Sequence, residues 1–143
     1  MNREIKFRAW DKNDSKGKII EWDKLLENYA LDLVLTDANN HWGIMQFTGL
    51  KDKNGKEIYE GDICKWIEME GVVELEKKGF VRFDGGRFEI GNHNGYGGDW
   101  DDLGILLHQY WNNKKAQNTL EVIGNRFENP ELLNNKGVKN EKD

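Results

Sequence analysis

The stretch that most constrains the fold covers residues 47–64 and reads F-T-G-L-K-D-K-N-G-K-E-I-Y-E-G-D-I-C. Its Asn54-Gly55 pair indicates a two-residue hairpin turn of type I′, because both central residues of that turn need a positive φ. Gly61-Asp62 then bends the chain into a further apolar run at residues 63–67. A hairpin followed at once by another short strand predicts a small, strongly curved antiparallel sheet.

The composition suits a β-rich globular domain. A chain of 143 residues can bury a sizeable core without disulfides. Its single cysteine, Cys64, excludes an internal disulfide and a multi-cysteine zinc site, and is expected to pack as a small hydrophobe. Abundant Gly (16) and one Pro fit many tight turns. The net charge of −5, with both signs interspersed, creates no field that would attract a polyanion.

The chain is expected to form one domain with a short appendage. We place the domain at residues 1–133, with the barrel core at about residues 45–125, and we predict a disordered polar tail at residues 134–143. The sequence has no long apolar run and no secretory signal. The protein is therefore expected to be cytoplasmic, with no membrane partner.

Alternating residues near the N-terminus predict a half-buried strand over residues 3–10. The core face consists of Ile5, Phe7 and Ala9, and the outer face consists of Glu4, Lys6 and Arg8. Because the outer face is charged, we expect this strand at the edge of a sheet. Residues 11–17 then form a turn-rich break.

Two segments show apolar residues at helical spacing. Residues 22–35 predict about three turns of helix, although residues 31–35 also fit a strand. Residues 100–111 predict a second helix, which Gly104 would weaken by about 1 kcal/mol. Asn129-Pro130-Glu131 is a typical helix start, with a capping Asn, a Pro at the first position and an acid near the positive end of the dipole.

The middle of the chain resembles an SH3-like barrel. Short strands are predicted at residues 44–47, 58–59, 63–67, 72–75, 80–83, 88–90 and 120–123, with Asp84-Gly85-Gly86 as a second hairpin turn. Because Gly is needed where backbones approach closely, and alternating apolar residues face an interior, these segments are expected to curl into a small barrel. The predicted class is mainly β with short helices: an SH3-like small barrel with an N-terminal strand extension and a short C-terminal helix.

Three blocks of sequence bracket nearly the whole chain. They are R-E-I-K-F-R-A-W-D at residues 3–11, M-Q-F-T-G-L-K-D-K-N-G-K-E-I-Y-E-G-D-I at residues 45–63, and E-V-I-G-N-R-F-E-N-P-E-L-L at residues 121–133. In this order they resemble the YopX family of small phage and prophage proteins. The intervening residues, 12–44 and 64–120, carry no matching motif.

The resemblance implies a phage-derived protein with a β-rich, SH3-like barrel that works in a bacterial cytoplasm. It implies no reaction, so no functional residue is carried over from the family. The matched positions are interpreted as architecture, with Pro130 starting the terminal helix. The bends are assigned to Gly49, Gly55, Gly61 and Gly124, and the core to Ile5, Phe7, Ile58, Ile63, Val122 and Ile123.

Two acidic segments are candidates for a cation site. The denser one contains Asp99, Asp101 and Asp102. The same carboxylates suit a helix N-terminus, where they would accept unpaired N–H groups. Residues 11–17 imitate the start of an EF-hand loop, but its sixth position is Lys16 rather than Gly, and its twelfth is Trp22 rather than Glu. We therefore assign no metal ligand.

Candidates for catalysis are few. The Gly-rich residues 91–98 lack the G-K-[ST] ending of a phosphate-binding loop, so a flexible β-loop is the simpler interpretation. His41, His93 and His108 stand at no metal-ligand spacing, and a histidine acts as an acid or base only beside a positioned partner. Asn92-His93-Asn94 is the best of these candidates. We assign no catalytic, cofactor-binding or metal-binding residue.

Nucleic-acid binding is an alternative function, because small barrels often bind strands across an aromatic face. Neighbouring acids and the negative net charge oppose it. The basic candidates are Arg3, Lys6, Arg8, Lys51, Lys53 and Lys56, the stacking candidates are Trp66, Phe80 and Tyr96, and the opposing acids are Glu57, Glu60, Asp62, Glu68 and Glu70.

Protein interaction is the leading hypothesis. A small sheet has edges that pair readily with another strand. Six Trp, six Phe and four Tyr can be divided between a core and an exposed patch. We expect a non-enzymatic accessory protein that self-associates or binds a host or phage protein. An enzyme whose site lies between the matched blocks is a third possibility.

Overall fold

The fold is built mainly from antiparallel strands. The computed structural model describes residues 4–36, 41–92, 99–107, 110–111, 114–115 and 119–133, so the predicted tail lies outside the described residues. In chain order the elements are β1 (Phe7–Asp11), β2 (Lys18–Ile20), α1 (Trp22–Asn28), α2 (Leu31–Thr36), β3 (Trp42–Lys51), β4 (Glu57–Tyr59), β5 (Asp62–Glu70), β6 (Val73–Asp84), β7 (Arg87–Asn92), β8 (Asp99–Asp102), α3 (Leu103–Leu107), β9 (Tyr110–Trp111), β10 (Lys114–Lys115), β11 (Glu121–Asn125) and a terminal 3₁₀ helix (Pro130–Leu133).

Two curled sheets carry this architecture. The first has the strand order β2-β1-β3-β4, and the second has the order β11-β5-β6-β7-β8. Strands β9 and β10 form a separate short pair. Neighbouring strands pair in the antiparallel sense throughout the described residues. The predicted class is confirmed: the protein is mainly β, with short helices and a small barrel-like fold.

The hairpin between β3 and β4 forms where it was predicted, but with a different turn. The Gly55 N–H donates to the Asp52 carbonyl at 3.0 Å, and the Asp52 N–H donates to the Lys56 carbonyl at 2.8 Å. Lys53 and Asn54 therefore occupy the central positions, and Gly55 follows them with a φ of 81°. This is a three-residue loop with a glycine bulge, so the type I′ prediction was wrong. The Asp52 carboxylate selects it by accepting the N–H groups of Asn54 and Lys56.

The N-terminal strand does not lie at an edge. Strand β1 pairs with β2 on one side and with β3 on the other. Ile5, predicted in the core, precedes the strand and is 57% exposed, whereas Arg8, predicted on the solvent side, is 8% exposed. The edge position was wrongly predicted, because β2 pairs with the outer side of β1. The exposure of Arg8 was wrongly predicted, because a carboxylate distant in the sequence neutralises it. The burial of Ile5 was also wrongly predicted.

The two predicted helices have different outcomes. Residues 22–28 and 31–36 are helical, which excludes the strand alternative for residues 31–35, and extended backbone at Tyr29 (φ −132°, ψ 150°) separates α1 from α2. The second prediction was largely wrong. Trp100 lies in β8, where it pairs with Gly91, and Trp111 lies in β9. Among the described residues of this segment, only α3 is helical, and it starts after Asp102, whose Oδ1 accepts the Ile105 N–H at 3.0 Å.

Strand β6 is longer than predicted. Residues 72–75 and 80–83 were expected as separate strands, but β6 runs continuously for 12 residues. The predicted second hairpin is confirmed, with Gly85 at φ 61° and Gly86 at φ 81° joining β6 to β7. A helical turn also begins at Pro130 as predicted, in 3₁₀ form.

Three apolar clusters fill the interior. The largest contains Ile58, Cys64, Trp66, Val81, Ile90, Leu103, Leu107, Leu120 and Val122. The second packs β1 and β2 against α1 and α2 through Ala9, Ile20, Leu25 and Val34, and the third contains Met45, Phe47 and Tyr59. Of the predicted core residues, Ile58, Ile63 and Val122 are buried, and Phe7 and Ile123 are half-buried.

Candidate interaction surface

Strands β5 and β6 extend together beyond their neighbours. They pair from Ile63–Phe80 to Glu70–Val73. Strand β11 pairs with β5 only at Asp62–Lys65, and β7 pairs with β6 only at Phe80–Asp84. Within the described residues, positions 66–79 thus form a two-stranded projection, which we call the ribbon.

Two glycines shape the ribbon. Gly71 has a φ of 62° and reverses the chain at the tip, between Glu70 and Val73. Gly79 lies at the base, where a Cβ atom would come within 2.3 Å of the Gly91 carbonyl oxygen. A residue without a side chain therefore lets β6 pass close to the end of β7.

The base of the ribbon packs into the core of the protein. Trp66 is 5% exposed and belongs to the largest core cluster, and its Nε1 donates to Glu68 Oε1 at 2.8 Å. On the β5 side, the Ile67 N–H donates to Thr119 Oγ1 at 2.9 Å. The β5 edge is thus partly occupied, whereas no described residue pairs with the outer edge of β6 at positions 73–79.

The tip of the ribbon exposes apolar side chains. Val72 is 94% exposed and Val73 54%, while Met69 and Ile67 are 43% and 38% exposed. By contrast, the five tryptophans whose side chains are described are buried or half-buried. Four exposed apolar side chains thus lie within positions 67–73, divided between the two faces of the ribbon. Because clustered exposed apolar residues mark contact sites, the tip is the candidate interaction surface.

A buried ion pair joins the two sheets at the start of β5. The Arg8 guanidinium on β1 binds Asp62 Oδ1 on β5, and Asp62 Oδ2 accepts the Tyr59 N–H at 2.8 Å. The guanidinium also lies 4.4 Å from the centre of the Tyr59 ring. Burial raises the pKa of the Asp62 carboxyl above its usual value, and Arg8 opposes that shift. Alternation in the sequence assigned Arg8 to solvent, so sequence reasoning missed this pair.

Glu60 gives stability a predictable pH dependence. Its Oε1 accepts the Gln46 N–H at 3.3 Å, and burial raises its pKa above the ordinary value of 4.5. Folding therefore favours the protonated carboxyl. The resulting stabilisation is complete below the unfolded-state pKa of Glu60 and is lost as the pH rises through the folded-state pKa.

We expect Glu60→Gln to become more stable relative to the wild type as the pH rises from about 4 to about 7. Urea unfolding of both proteins across this range measures the difference. Asp62 is common to both proteins, so its own titration cancels. A difference in free energy that stays constant with pH would contradict the assignment.

The His41 side chain contacts the loop at residues 11–17. Its Nε2 lies 3.0 Å from Asp11 Oδ1, and its Nδ1 lies 2.6 Å from Asn13 Nδ2. Both ring nitrogens therefore have neighbours within the protein, which suits a structural role. His93 and His108 lie outside the described residues, as do residues 93–98 of the Gly-rich loop.

The acidic candidates for a cation site are dispersed. Asp102 caps α3, as the helix-terminus interpretation predicted, Asp101 is exposed, and the side chain of Asp99 is not described. Among the described residues, no group of three His, Cys, Asp or Glu side chains could hold a metal ion. Cys64 is 0% exposed, and burial raises the pKa of its thiol well above its usual value, which confirms packing as a small hydrophobe.

Several of the residues suggested for nucleic-acid binding are paired with acids or buried. Lys6 Nζ lies 2.6 Å from Glu57 Oε2 and 3.1 Å from Glu4 Oε1. Hydrogen bonding to Glu57 raises the pKa of Lys6. Lys53 lies 3.5 Å from Glu121. The stacking candidates Trp66 and Phe80 are 5% and 7% exposed, while Arg3 and Tyr96 lie outside the described residues.

Fold and surface together define a small β-barrel-like protein with a projecting strand pair. The chain belongs to the YopX family, since its residues 6–134 match the family described as YopX protein. This confirms the family resemblance. No curated protein matches the chain. Among solved structures, the chain is similar to protein EF1440 from Enterococcus faecalis, with 25% identity and a TM-score of 0.49, over 93% of this chain and 100% of that one. Within the described residues, no helix is long and apolar enough to cross a membrane.

Proposed function

We propose that this protein is a non-enzymatic accessory protein, encoded by a phage or prophage, that acts in the cytoplasm of a bacterial host by binding another protein through the ribbon. One observation carries the proposal. The ribbon combines an exposed apolar tip with a β6 edge at positions 73–79 that no described residue pairs with.

Strand addition is the physical basis of this binding. The backbone N–H and C=O groups of an edge strand offer a row of hydrogen bonds to an incoming strand. The tip side chains Met69, Val72 and Val73 add apolar area that becomes buried on contact. Since Trp66 anchors the base, little conformational freedom is lost when the ribbon binds.

Side-chain pairing supports a non-enzymatic role. Both ring nitrogens of His41 are occupied within the protein. Arg82 Nη2 lies 3.0 Å from Glu89 Oε1, and Arg87 Nη2 lies 2.7 Å from Glu89 Oε2. The same pairing disfavours nucleic-acid binding, the alternative function, because counterion release on phosphate binding needs cations that are not already neutralised.

A photo-crosslinking amino acid at position 72 tests the proposal in bacterial cells. Position 105 is the matched control, because Ile105 is also apolar and 67% exposed but lies on α3 rather than on the ribbon. We expect clearly more protein adduct from position 72 than from position 105, because only position 72 would lie within the proposed contact. Adding Met69→Lys should reduce the adduct from position 72. Equal adduct from both positions would refute the proposal.

A further inference from the structure

The outer edge of β6 carries charges in a self-complementary order. Along positions 73–79, which no described residue pairs with, the sequence reads V-E-L-E-K-K-G. The acids Glu74 and Glu76 come first, and the bases Lys77 and Lys78 follow. Glu74, Glu76 and Lys78 are all exposed, and because strand residues alternate, they lie on the same face of the ribbon. When such an edge pairs antiparallel with itself, its acidic half meets its basic half.

We infer that the ribbon's partner is a second copy of this chain, which adds its own β6 edge antiparallel to this one across a twofold axis. This inference rests on the proposed function, since it names the partner of the same surface. A twofold axis perpendicular to the sheet places residues of the same face opposite each other. The register that places the charged positions 74–78 of the two copies opposite each other is centred on Glu76.

That register has specific consequences for charge. Glu74 of each copy faces Lys78 of the other, so two equivalent ion pairs form. Glu76 faces Glu76 of the other copy across the axis, which is a repulsive contact. Opposite charges directly across an antiparallel pair are stabilising and like charges are destabilising. The proposed dimer therefore has two attractive contacts and one repulsive contact, each tested by a different substitution.

Sedimentation at low ionic strength measures self-association of the wild type and of two charge-reversal variants. Glu74→Lys and Lys78→Glu are each expected to weaken association by about tenfold, because each converts two attractive contacts into repulsive ones. An equimolar mixture of the two variants should associate about as tightly as the wild type, since Lys faces Glu at both positions of the mixed dimer. Glu76→Gln should tighten association by removing the central repulsion.

Lys24→Glu is the matched control, because it makes the same charge change as Lys78→Glu at an exposed position on α1. We expect it to leave association unchanged, and circular dichroism checks that each variant is folded. The inference is overturned if the wild type remains monomeric or if the mixture associates no better than either variant alone. A monomeric wild type that still yields adduct from position 72 would retain the proposed function with a different partner. Absence of adduct from position 72 would remove both.

Discussion

Replacing Arg8 with Met is expected to lower the free energy of unfolding by about 3–5 kcal/mol. The substitution keeps the apolar stem but leaves the Asp62 carboxylate, whose side chain is 1% exposed, without its cation. It also removes the contact between the guanidinium and the Tyr59 ring. Chemical denaturation, with the midpoint and slope analysed separately, measures the loss.

A double substitution separates the effect of the buried charge from the effect of lost packing. In Arg8→Met/Asp62→Asn, the buried charge is gone and the Asn oxygen can still accept the Tyr59 N–H, so we expect at least about 2 kcal/mol of the loss to return. Recovery is favoured further because Arg8 Nε is a buried donor without a hydrogen-bond partner among the described residues. Lys24→Met, in the exposed Lys24–Glu27 pair at 3.4 Å, should change stability by less than about 1 kcal/mol. Additive effects of the two core substitutions would contradict a coupled pair.

The second large effect concerns Asp52, whose carboxylate joins the first hairpin to the last strand. Its Oδ1 accepts the N–H groups of Asn54 and Lys56, each at 2.9 Å, and its Oδ2 accepts the Val122 N–H at 2.9 Å. The Lys53 N–H adds a bond to the Leu120 carbonyl at 2.8 Å. A buried side chain therefore both selects the turn and ties one sheet to the other.

Asp52→Ala is expected to lower the free energy of unfolding by about 2–4 kcal/mol, because Val122 is buried and its N–H loses a charged acceptor. Amide hydrogen exchange should accelerate most at Val122. The control is Asp14→Ala, which removes a similar bond to the Lys16 N–H at 3.1 Å in an exposed loop and should cost less than about 0.5 kcal/mol. Equal effects of the two substitutions would show that the link between the sheets contributes nothing.

Local signals in the sequence determined much of the fold. The glycines at positions 55, 85 and 86 require positive φ, so both hairpins could be placed from neighbouring residues alone. Pro130 marked the terminal helical turn for the same local reason. Interpreting the matched positions as architecture correctly assigned Ile58 and Ile63 to the core, and three sequence blocks identified the family.

Tertiary structure decided the rest. Arg8 is buried because Asp62, 54 positions away, neutralises it, and a pattern of neighbouring residues carries no record of that partner. Trp100 joined a strand because β7 offered it backbone hydrogen bonds, which outweighed helical spacing. Within the part of the chain that the structure describes, the ribbon exists because β7 and β11 stop short of the ends of β6 and β5. Whether a strand edge is left open depends on where its neighbours end, and only the assembled sheet determines that.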